Sequence, residues 1–144
     1  MMKKTLFIGA MLCSSLLVSA FVSAPKETTV PVQADKDNYA EIRFDTLKMD
    51  LGTFSSKDPV RKCTFKFSNV GTAPLVIHQA LASCGCTVPT FTKTPIKAGE
   101  KGQVDVTYNG TGKFPGHFQK TITVRSNARN EVVRLIIEGE MTEE

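Results

Sequence analysis

From Glu41 onward the apolar positions recur every second residue. Ile42 and Phe44 alternate with Glu41 and Arg43, and Leu47, Met49 and Leu51 alternate with Lys48 and Asp50 until Gly52 breaks the run. Cys63, Phe65 and Phe67 alternate in the same way with Lys62, Thr64 and Lys66. Side chains two apart on an extended chain share a face, so each run predicts a strand with one side in a core and the other in water. Further runs follow: Leu75 and Ile77 in a strand reaching Ser83, then Val104, Val106 and Tyr108, then Ile122 and Val124, and last Val133, Leu135 and Ile137. Turn-forming residues separate them at Ser68–Pro74, at Ala98–Gly102, at Asn109–Gly112 with Pro115 and Gly116, and at Ser126–Asn130. Thr87 to Gly102, with Pro89, Pro95, Gly99 and Gly102, reads as one long loop. About seven short strands over roughly 100 residues predict an all-β, immunoglobulin-like antiparallel β-sandwich across residues 41–141. The tryptophan and paired cysteines of antibody domains are missing. A jelly roll or small barrel is the alternative architecture.

The first forty residues lack this period. Lys3 and Lys4 precede an apolar run from Leu6 to Val18 that is too short to span a bilayer. Val18, Ser19 and Ala20 then place small residues where signal peptidase reads, so residues 1–20 are expected to be a signal peptide cleaved after Ala20. Ala24 competes, but Pro25 would follow that cut, and Val32–Ala34 lies far from the apolar run. Cys13 follows Leu12 and Met11, not the small residue a lipoprotein signal requires, and leaves with the leader. Residues 21–40, rich in Pro, Thr, Lys and Asp, are expected to form a flexible tether. No other stretch is apolar enough to cross a membrane, so the mature product is expected to be exported, periplasmic or secreted, without a transmembrane segment.

Composition narrows the partners. A chain of 144 residues with 41% hydrophobic content has room for one domain with a real core. Subtracting the charges of Lys3 and Lys4 from the formal +4 leaves +2, with lysines scattered and Glu138 to Glu144 acidic. No basic stripe points to nucleic acid.

The ordered motifs resemble a known family. Met49-Asp50-Leu51-Gly52-Thr53, Phe65-Lys66-Phe67-Ser68-Asn69-Val70-Gly71, Ser83-Cys84-Gly85-Cys86-Thr87-Val88-Pro89 and Val104-Asp105-Val106-Thr107-Tyr108 follow one another in its sequence order. Gly116-His117-Phe118-Gln119-Lys120-Thr121-Ile122 and Leu135-Ile136-Ile137-Glu138-Gly139 close the match. Together they are similar to the bacterial secreted family called domain of unknown function 1573, over nearly all of residues 41–140. The resemblance implies an immunoglobulin-like sandwich related to those of sperm-protein and hydin type, and it implies no activity. Cys63 stands where the family pattern has an ordinary apolar residue, which argues against its being an obligatory partner of the other cysteines.

Chemistry therefore centres on Cys84 and Cys86. Export brings an oxidising compartment, and Cys63, Cys84 and Cys86 are an odd number. Residues two apart on a straight strand hold their Cβ atoms too wide for a disulfide, so bonding requires a bend that Gly85 permits. Three roles remain open: a local staple, a redox pair in a small ring, or two thiols holding Cu(I). Closed zinc needs about four ligands, and the remaining candidates are Cys63, His78 and His117. Alternation makes Cys63 a small apolar side chain, His78 a surface residue and His117 a loop residue. A thioredoxin-like enzyme would need two residues between the cysteines and a helix N-terminus. Asp45, Asp50 and Asp58 lack metal-loop or paired-carboxylate spacing, and Asn109–Gly112 reads as a hairpin turn with no helix behind it. The chain is accordingly expected to be a non-catalytic module without a cofactor that binds a protein or envelope component. A periplasmic thiol redox or Cu(I)-handling protein using Cys84 and Cys86 is the alternative.

Overall fold

The computed structural model describes residues 38–143. The expected signal peptide with its cut after Ala20, Cys13, and the tether as far as residue 37 lie outside the described residues. Eight strands are present: β1 (Ile42–Phe44), β2 (Lys48–Ser55), β3 (Val60–Asn69), β4 (Ile77–Ala82), β5 (Thr87–Phe91), β6 (Lys101–Asn109), β7 (Gly116–Ser126) and β8 (Val132–Thr142). They form two four-stranded sheets, ordered β1-β3-β6-β5 and β2-β8-β7-β4. Among the described residues there is no helix.

The alternating residues of the sequence are the ones that meet between the sheets. Phe65 and Phe67 on β3, Val104, Val106 and Tyr108 on β6, Ile122 and Val124 on β7, and Leu135 and Ile137 on β8 are all buried. Burial of this apolar row from both sheets is the main favourable term holding the layers together. Phe67 faces Gly102 across β3 and β6, and its ring occupies the space where a Cβ at Gly102 would stand.

Four details depart from the expected arrangement. The sandwich is not wholly antiparallel, because β2 runs parallel to β8. Thr87–Phe91 is a strand rather than part of a long loop; it forms the edge of the first sheet, where Pro89 and its missing N–H are tolerated. Gly52 does not end β2. It takes φ +73° in a bulge between Asp50 and Thr53, and the extra residue turns Phe54 into the core. Leu75 lies ahead of β4 and bridges Ile96, and β4 stops at Ala82.

Tyr39 and Ala40, at the end of the expected tether, are seated on the sandwich. The Tyr39 carbonyl accepts from the Thr72 and Ala73 amides at 2.7 and 2.9 Å, and Ala40 bridges Ala128. Beside them Asn69 is fully buried. Its Oδ1 accepts from the Glu41 and Gly71 amides at 3.3 and 3.0 Å, and its Nδ2 donates to the Ala73 and Ile96 carbonyls at 2.8 and 3.0 Å. One side chain thus satisfies backbone groups from two loops and from the segment ahead of β1, each of which would be expensive to leave unpaired. Asn69→Leu, close in volume, should lower the free energy of unfolding by about 2–4 kcal/mol, measured by urea titration with an unchanged m-value.

Candidate functional site

Strand β4 belongs to one sheet and β5 to the other, so Ser83–Cys86 must carry the chain across the roughly 10 Å between layers. The turn is tied on both sides. The Ser83 amide donates to the Thr121 carbonyl of β7 at 2.9 Å, and the Thr121 amide returns a bond to Ser83 Oγ at 3.2 Å. On the other side the Asn109 amide, at the end of β6, donates to the Cys86 carbonyl at 2.7 Å. Within the turn the Thr87 amide donates to the Cys84 carbonyl at 3.2 Å.

Cys84 and Cys86 are joined by a disulfide, with their Cα atoms 5.3 Å apart. Two extended residues would span roughly 6.6–7.2 Å, so the chain is bent here, as bonding required. Gly85 does not supply the bend through a positive φ, and a Cβ built there would meet nothing within 4 Å. A ring closed over three residues restricts the unfolded chain by only about 1.6 kcal/mol, roughly half the effect of a fifteen-residue loop. As a staple against unfolding the bond is therefore weak, and the backbone bonds already hold the crossing.

Thr87, the first residue of β5, is 3% exposed and points its hydroxyl at the disulfide. Its Oγ1 lies 3.6 Å from Cys84 Sγ and 3.8 Å from Cys86 Sγ. Nothing in the sequence marks this residue as buried, because a threonine in a Pro-containing stretch gives no apolar alternation. A cleft of about 260 Å³ opens beside the turn, lined by Gly85, Cys86, Asn109, Thr111 and Lys113. Next in the chain is Phe114, 96% exposed. The Asn109–Gly112 segment is not the expected hairpin turn, because β6 and β7 lie in different sheets; it arches over the end of the sandwich. Underneath, Tyr108 and Phe118 stack at 4.1 Å and Phe54 meets both edge-on, so the arch stands on a rigid aromatic floor.

The same end carries an open strand edge. β4 pairs with β7 only from Ile122 to Ser126, and no strand among the described residues pairs with that side of β7 between Gly116 and Lys120. The Thr121 carbonyl points to this side, so by the two-residue period the backbone groups of His117 and Gln119 point there as well.

The other candidate ligands stay apart from the pair. His78 is exposed at the bulge in β4 between Ile77 and Gln79. His117 is on β7 and not in a loop; its Nδ1 lies 3.7 Å from Glu140 Oε2. Cys63 is a half-buried free thiol opposite Val106. Among the described residues, no three of His, Cys, Asp and Glu come together in an arrangement that could hold a metal ion.

Comparison with known proteins bears on fold more than on activity. The family model described as a protein of unknown function (DUF1573) matches residues 42–141. No curated protein matches the chain. Among solved structures it is similar to a protein of unknown function from Porphyromonas gingivalis W83, at 17% identity and a TM-score of 0.61. That match covers 72% of this chain and 48% of the other, so this chain spans about half of that protein's length. It is also similar to the ASH/PapD-like domain of human CEP192, at 12% identity and a TM-score of 0.58, covering 94% and 99% of the two chains. The periplasmic chaperone SfaE is similar at 8% identity and a TM-score of 0.52, covering 72% and 58%. At these identities the likeness shows a shared immunoglobulin-like, PapD-like fold.

Burial, with the Asp105 charge adding to it, pushes the Cys63 thiol up to about 11. At pH 8 its thiolate fraction is then about a hundredfold below that of an ordinary cysteine of pKa 9. Iodoacetamide labelling of Cys63 should be correspondingly slow in the folded protein and rise about tenfold per pH unit from 7 to 9. In urea it should reach the ordinary rate.

Proposed function

Taking as premise that this chain belongs to the DUF1573 family of proteins of unknown function, we propose that it is an exported module that binds an extended protein segment without catalysing a reaction on it. The observation that carries this reading is the uncovered side of β7 between Gly116 and Lys120, with Phe114 exposed two residues ahead of it. An added strand would continue the line of β4, drawing affinity from the main-chain groups of His117 and Gln119. Phe114 supplies a large apolar anchor whose burial by a partner would contribute about 2–3 kcal/mol. The likeness to PapD-like domains, one of them a periplasmic chaperone, is consistent with protein binding. Export is supported by Lys3, Lys4, the apolar Leu6–Val18 run and the small residues ending at Ala20. Cu(I) would find its two thiolates at Cys84 and Cys86 only after the disulfide is reduced.

A photo-crosslinking residue in place of Phe114, with one at exposed Lys62 on the far sheet as control, tests this in intact cells. A discrete crosslinked species is expected from position 114 and not from 62. It should disappear in Gln119→Pro, which removes an outward N–H while sparing the β8 ladder. A species that survives Gln119→Pro in a protein with unchanged thermal unfolding, or none at all from position 114, would contradict strand addition at this edge.

A further inference from the structure

The crossing between β4 and β5 has three features that a plain staple does not need. Its hydrogen bonds to β7 and β6 run through main-chain groups and the Ser83 hydroxyl and involve neither sulfur. A buried hydroxyl is aimed at both sulfurs, at 3.6 and 3.8 Å. Cys86 lines an open cleft together with Lys113, whereas Cys84 does not. From these we infer that Cys84 and Cys86 form a reversible thiol–disulfide site that accepts two electrons from a dithiol entering the cleft. The inference goes beyond segment binding and does not depend on it.

The chemistry follows from the placement. A thiolate of the incoming dithiol attacks the sulfur of Cys86, the cysteine that lines the cleft, with the Lys113 ammonium on the same lining favouring the approach of negative charge. A bond forms between the incoming sulfur and Cys86 Sγ as the Cys84–Cys86 bond breaks, and Cys84 leaves as a thiolate. The Thr87 hydroxyl, already 3.6 Å away, donates a hydrogen bond to that leaving sulfur. The second thiol of the dithiol, deprotonated, then attacks its own partner sulfur in the mixed disulfide and releases Cys86 as a thiolate. Thr87 lies 3.8 Å from that sulfur. The two protons shed by the dithiol end on Cys84 and Cys86. The dithiol is oxidised to a disulfide and the pair is reduced to two thiols.

Dithiothreitol serves as the probe dithiol on the purified full chain. Thiol alkylation with intact-mass measurement counts the reduced pair, and thermal unfolding follows the fold in the same samples. The pair should reduce and reoxidise while the unfolding transition persists. Thr87→Val, which keeps the shape and removes the hydroxyl, should slow reduction about tenfold, the effect of losing one hydrogen bond to a charged sulfur. In the same variant the pH profile for alkylation of the reduced pair should move to higher pH, which a merely structural threonine would not cause. Reduction only under conditions that unfold the chain, or a Thr87→Val rate and profile equal to the original, would overturn the proposal.

Discussion

The chain passes from one sheet to the other at five of its seven connections, and the passage from β4 to β5 constrains the most around it. Ser83–Cys86 must leave β7, bridge the gap between layers and join β6 in register, so that Thr87 falls opposite Tyr108. Because the chain departs there, β4 covers only half of β7 and the rest of that edge stays open. Because it arrives there, β5 lies on the rim of its sheet, where a proline can be accommodated. The open edge and the edge position of β5 thus share one cause in topology.

The two ends of the sandwich are held by different means. At one end Asn69 satisfies backbone groups from two loops and the segment ahead of β1, and the arrangement is saturated. Such a site rigidifies and leaves little room for chemistry. At the other end the crossing rests on single backbone bonds to each sheet, above a stacked Tyr108–Phe118 pair. The small-ring disulfide adds little there against unfolding. A bond that contributes little to stability, on a frame tied to both sheets by hydrogen bonds of its own, can open and close at small expense to the fold.

The layers and core were legible in the chain because Phe65, Phe67, Val104, Val106, Ile122 and Leu135 keep a strict period of two. β5 was not legible, since its inward row begins with a polar Thr87 and continues with Pro89. Phe54 was missed because the bulge at Gly52 shifts the period by one residue midway through β2. The parallel pairing of β2 with β8 joins residues nearly ninety apart, and no local pattern encodes its direction. Cys84 and Cys86 stood out by spacing alone. Their relation to Thr87, Asn109 and Lys113 depends on which strands meet at the crossing, and that emerges only in three dimensions.

The geometry points to a crossing held by its backbone bonds to both sheets, independently of the sulfurs. Amide hydrogen exchange at Ser83, Thr87, Asn109 and Thr121, compared between the oxidised protein and the protein with both thiols reduced, tests it most directly. These amides should keep most of their protection after reduction, in step with the rest of β6 and β7. If instead they exchange as fast as exposed loop amides once the disulfide opens, while the remaining strands stay protected, the disulfide is what holds the crossing and the account is wrong.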